Sequence, residues 1–184
     1  MRNVLAAVLV LMVSFVAMAA TEAPQQVGPY TISFDMNTDM QKQITVNEPM
    51  MTSVSEINSM SIVTDNNTGA GIAIADYKDL ADATISTGKQ IAAMNMMLQG
   101  LNVTKVEDKM IDGNNGFVLT GTPMTSNGAA PSDFKVYRAV YWLDSKECGC
   151  GDLAAGTTNV VITSTYPEDV TMSLLDSIKI EKTA

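Results

Sequence analysis

Cys148-Gly149-Cys150 is the stretch of this 184-residue chain whose residue types and spacing point most directly to chemistry. Three chemistries fit two thiols separated by one glycine. In an oxidising compartment they close an intramolecular disulfide. A ring that small departs from relaxed geometry, so the bond is easily reduced, and Gly149 supplies the backbone freedom it needs. As thiolates they would hold a soft metal such as Cu(I) or Zn(II). Two sulfurs fall short of a closed zinc site, and the chain has no histidine to complete one. As an exchange pair they would be a thiol redox centre, but no thioredoxin-like βαβ pattern surrounds them and only Lys146 stands close in sequence to lower a thiol pKa. The structural disulfide is the reading carried forward.

Methionine is the second unusual feature. Fourteen are present, with Met94-x-Met96-Met97 clustered and Met36, Met40, Met50 and Met51 adding to the tally. Thioethers can hold Cu(I), which would join Met94, Met96 and Met97 to the cysteines as a soft-metal set. The competing reading is an irregular core or an adaptable docking surface. Asp112-Gly113-Asn114-Asn115-Gly116 and Asp65-Asn66-Asn67 offer oxygens to calcium, yet neither follows the twelve-residue loop with its closing glutamate, and both stand where a turn is needed. Asn66 and Asn102 open glycosylation sequons. Arg138 is the only arginine after Arg2 and stands mid-strand among Val136, Val140 and Trp142, where it would contact an anion at the sheet face, snorkel to solvent or pair with a neighbouring carboxylate.

Catalysis finds little footing. Without histidine there is no ordinary general base and no serine triad. Glu107/Asp108 and Glu168/Asp169 are carboxylate neighbours of surface character. The formal charge is −9, from 11 basic and 20 acidic residues. A chain so acidic repels nucleic acid and anionic lipid. No catalytic residue and no cofactor are assigned.

The elements that would position these residues follow a secretory start. Arg2, the apolar run Val4 to Val13 and the small-residue close Ala17-Met18-Ala19-Ala20 have the pattern of a cleaved signal peptide. The run is shorter than the ~20 residues of a membrane span. Residues 1–20 are therefore expected to be removed, 21–29 to form a flexible leader and 30–184 a single domain, placed outside the cytoplasm and without a membrane span. Alternation predicts strands at Tyr30 to Met36 and Gln41 to Val46, joined as a hairpin, and further strands at Ile57 to Thr64 and Ala70 to Tyr77. Leu80, Ala81, Thr84, Ile85, Gly88, Ile91, Ala92 and Leu98 share one stripe, which predicts a helix from an Asp79 N-cap to Gln99, stopped by Gly100. Strands resume at Thr104 to Ile111, Phe117 to Thr122, Phe134 to Leu143 and Asn159 to Tyr166. A short helix opens at Pro167. Together these give an α+β fold, an antiparallel sheet covered by one long helix and a short C-terminal helix.

Several segments carry a family likeness: Tyr30-Thr31-Ile32-Ser33-Phe34 after Gly28-Pro29, the strand-to-helix passage Gly71 to Leu80, and Gly116 to Gly121. The paired strands Val136 to Leu143 and Val160 to Tyr166, and the close Leu174 to Ile178 running into Lys179 to Glu181, complete it. In this pattern of hydrophobicity the chain resembles the PsbP-like family of extrinsic and secreted proteins. The resemblance implies an α/β/α sandwich and an accessory or docking role without catalysis, and carries no site residue over. The functional expectation is a secreted, non-enzymatic interaction domain with a protein partner at the cell surface or envelope; the alternative is a soft-metal or thiol redox protein centred on Cys148 and Cys150.

Overall fold

The computed structural model describes residues 22–64, 68–79, 84–124, 134–147, 153–154 and 156–183. The N-terminal stretch read as a signal peptide, Asn66 with its neighbours, and Cys148-Gly149-Cys150 lie outside the described residues. In chain order the elements are β1 (Gln25–Val27), β2 (Tyr30–Ser33), β3 (Lys42–Val46), β4 (Met50–Met51), β5 (Ser55–Thr64), β6 (Gly69–Tyr77) and α1 (Ile85–Leu98). There follow β7 (Leu101–Ile111), β8 (Asn114–Pro123), β9 (Val136–Trp142), β10 (Lys146–Glu147), β11 (Leu153–Ala154), β12 (Thr158–Ser164), α2 (Glu168–Ser177) and β13 (Lys179–Lys182).

Eight strands build one large antiparallel sheet in the order β3-β5-β6-β12-β9-β8-β7, with β4 also pairing β5. A second antiparallel sheet of three strands runs β1-β2-β13, and β10-β11 make a minimal hairpin. Alternation in the large sheet feeds two separate cores. Ile62, Ile72, Ile74, Tyr141 and Ile162 point to the face covered by the small sheet and by α2, whose Val170, Leu174 and Leu175 pack there. Phe117, Leu119, Val140 and Trp142 point to the opposite face, beneath α1.

The helix-covered sheet is corrected here, and with it the α/β/α sandwich. The protein is mostly β, with strands taking 54% of the described residues and two short helices. The helix expected over Asp79 to Gln99 spans only Ile85–Leu98. Thr84, not Asp79, is its N-cap, accepting the Thr87 N–H at 3.3 Å on its hydroxyl. A threonine hydroxyl that caps the chain marks the helix start at Thr84; Leu80 and Ala81 of the expected stripe lie outside the described residues. Gly100 does stop it, at φ +79°. Only Ile85, Ala92 and Met96 are buried on α1, and the helix packs on β7 and β8. So short a contact leaves much of that sheet face uncovered. No helix among the described residues is long and apolar enough to cross a membrane.

The expected hairpin of Tyr30 to Met36 with Gln41 to Val46 also gives way. Tyr30–Ser33 pairs instead with β1 and with β13, and Lys42–Val46 with β5. Of the segment read as a leader, Gln25–Val27 form β1 through the turn at Gly28, whose φ is +58°. The two sheets are joined by Tyr30. Its buried hydroxyl lies 2.6 Å from both carboxylate oxygens of Asp76, which also accepts from Thr158 Oγ1 at 2.9 Å. Burial first, then the neighbouring Asp76, raise the Tyr30 pKa far above its ordinary range.

Asp144, just after β9, ties down the return into β12. Burial alone would raise its pKa. The N–H groups of Thr158 and Thr157 and the Thr157 hydroxyl, at 3.0, 2.9 and 2.8 Å, outweigh that and hold it below the usual carboxylate value. A depressed folded-state pKa stabilises above the unfolded value of about 4 and is lost as pH falls through the lower folded one. Urea midpoints are therefore expected to decline on acidification through that window. The decline should be smaller in Asp144→Asn; superimposable profiles for the two proteins would contradict this role. Because the side chain is exposed, the effect is modest.

Candidate functional site

The helix that fails to cover its sheet face leaves a groove. Its volume is about 340 Å³, and it runs between α1 and the three strands β6, β12 and β9. From the helix come Thr84, Gly88, Ile91, Ala92 and Asn95; from the sheet come Tyr77, Arg138, Val140, Trp142, Asn159 and Val161. Strand period explains the sheet side, since Arg138, Val140 and Trp142 are alternate residues of β9. They share a face with Asn159 and Val161, which pair across to Trp142 and Val140. Gly88 sets how close the helix comes: a Cβ there would lie 2.5 Å from Trp142 Cη2. Trp142, the only tryptophan of the chain, stacks at a tilt on Phe117 with ring centroids 6.3 Å apart.

Arg138 is the cation of this groove. Its Nη2 donates to Gln99 Oε1 at 2.7 Å and its Nε to Thr163 Oγ1 at 3.4 Å. Both partners are neutral. The seven ion pairs among the described residues all use lysine, and none involves Arg138. Desolvation lowers its pKa from the usual guanidinium value. Of the readings expected for this arginine, an anion contact, snorkelling or a neighbouring carboxylate, the last is set aside: no described carboxylate pairs with it.

The methionines divide. Met96 is fully buried and seated over Gly121, where a Cβ would come within 2.7 Å of its Cε. Met94 and Met97 are each 56% exposed on the opposite side of α1. Of the three methionines named as a soft-metal or docking set, the structure thus places one in the core and two on the surface. Ile91 and Leu98, placed on the inward stripe by sequence, are instead 48% and 79% exposed. The stripe that does bury, Ile85, Ala92 and Met96, was legible as positions i, i+7 and i+11.

The remaining candidates separate rather than converge. Asp112 and Gly113 form the β7–β8 turn, both at positive φ. The Asp112 carboxylate is engaged by Lys179 Nζ at 3.1 Å and the Ile180 N–H at 2.9 Å, tying β13 to the turn. Asp108 pairs with Lys89, Glu107 with Lys105 and Glu168 with Lys135, all on the surface, so these three carboxylates are held by lysines. Among the described residues no three His, Cys, Asp or Glu side chains are grouped to hold a metal. Asn102 is exposed at the start of β7, on the sheet edge. Comparison of the chain with protein-family models, with curated proteins and with solved structures finds no match.

Proposed function

We infer that this protein is a non-enzymatic interaction domain, exported from the cytoplasm, that docks a protein partner at the cell surface or envelope through the outer side of α1. The observation carrying this reading is the apolar stripe Ile91, Met94, Met97 and Leu98, exposed on successive turns of one helix. Scattered exposed hydrophobes are ordinary, but four on one side of a 14-residue helix form a contiguous patch of the kind that partners cover. Methionine suits such a surface because its unbranched thioether adapts to the shape it meets. The absence of histidine and the dispersal of the carboxylates support a role without turnover. The signal-like start, an apolar run closed by small residues, supports export.

The test is affinity capture from native envelope fractions with the wild-type protein and with Met94→Glu/Leu98→Glu. Both side chains are exposed, so the variant is expected to keep the wild-type circular dichroism spectrum. A partner retained by the wild type and lost by at least about tenfold in the variant is the expected result. Equal retention by both proteins, or turnover of a substrate by the purified domain, would overturn the reading.

A further inference from the structure

We propose that the groove between α1 and the sheet is a binding site for a small monocarboxylate with an apolar body, anchored by Arg138. Three observations converge. The volume of about 340 Å³ lies in the range of small-molecule sites. The walls contributed by Ile91, Ala92, Val140, Trp142 and Val161 are apolar, so the body of the ligand replaces water against hydrocarbon and indole. At the α1 C-terminal end stands a half-buried guanidinium bonded only to the neutral oxygens of Gln99 and Thr163.

A guanidinium offers five N–H donors, and these two bonds leave donors over. In a protein with 20 acidic residues, a partly desolvated arginine without a described carboxylate partner is complementary to an incoming carboxylate, which it can grip with two parallel bonds. The same acidity selects the ligand's charge. The surrounding field opposes di- and polyanions, whereas a single carboxylate is neutralised by a single arginine. Asn95 and Asn159 add neutral polar groups to the lining without adding charge.

Trp142 reports occupancy directly, because it is the only tryptophan and forms part of the wall. The experiment titrates the full chain with decanoate, decanol and decyltrimethylammonium while following tryptophan emission. Decanoate is expected to give a saturable change and to bind at least about tenfold more tightly than decanol, with decyltrimethylammonium weaker still. Arg138→Gln keeps a polar group beside Gln99 and is expected to weaken decanoate about 10- to 100-fold while leaving decanol unchanged. The comparison of the three ligands on the wild type needs no variant to fold. Absence of a saturable decanoate response, equal affinity for all three probes, or an unchanged decanoate affinity in a folded Arg138→Gln protein would overturn the proposal. Met94 and Leu98 are exposed and do not line the groove, so decanoate binding should survive Met94→Glu/Leu98→Glu; groove and docking stripe therefore fail separately.

Discussion

Tyr30→Ala is expected to remove about 3–5 kcal/mol of stability, a large share of what a domain of this size possesses. Tyr30 is fully buried and belongs to the main core. Its ring fills space between the small sheet and the large one, and its hydroxyl reaches Asp76 on β6 from a strand that has no ladder contact with β6. Truncation therefore opens a cavity and cuts the polar link in one step. Tyr30→Phe separates the two losses. It keeps the ring and removes only the hydroxyl, and Asp76 retains Thr158 at 2.9 Å, so about 1–2 kcal/mol is expected. Urea unfolding followed by far-ultraviolet circular dichroism measures both. Equal losses in the two variants would show that the ring contributes nothing by packing. A loss under about 1 kcal/mol for Tyr30→Ala would remove Tyr30 from its place between the sheets.

The second large effect falls on the other face. Phe117→Ala is expected to cost about 3–5 kcal/mol. The ring is fully buried with Leu119, Val140 and Met96, and stands beside Trp142. Its removal takes away a principal support under α1, and partial collapse cannot refill the space because the neighbouring wall is the groove. Trp142 should move toward water, so its emission shifts to the red in the native baseline before any unfolding. Leu174→Ala, at the same cost range, empties the opposite core and should leave that native emission unchanged. If the two variants shift the tryptophan alike, the two faces are one core and the division into two clusters fails.

The strands were the most legible part of the chain. Ala70 to Tyr77 and Asn159 to Tyr166 alternate cleanly, because each sends one set of residues to a dense core and the other to a shallower face. Alternation tells that a strand has a buried side; it does not tell which strand lies next to it. Alternation in Tyr30 to Met36 suggests pairing with the strand that follows it, whereas its partners are β1 before it and β13 at the far end of the chain. The helix was legible from Ile85 onward and overextended before it, since period alone outvoted the capping hydroxyl of Thr84. Arg138 stood out as a mid-strand cation, but its lack of a carboxylate partner depends on where Gln99 arrives. The groove required Gly88 to approach Trp142, and a glycine inside a helix gives no hint of what it approaches.

The shallow seating of α1 gives the groove two walls of unequal stiffness. One is the sheet, in which β9 and β12 are hydrogen-bonded along both edges. The other is a helix held to that sheet by Ile85, Ala92 and Met96. A molecule in the groove therefore meets a strand wall bonded on both sides and a helix wall held by three buried side chains. Of the exposed apolar stripe only Ile91 also lines the groove, while Met94, Met97 and Leu98 face solvent, so the two surfaces of α1 meet at a single side chain.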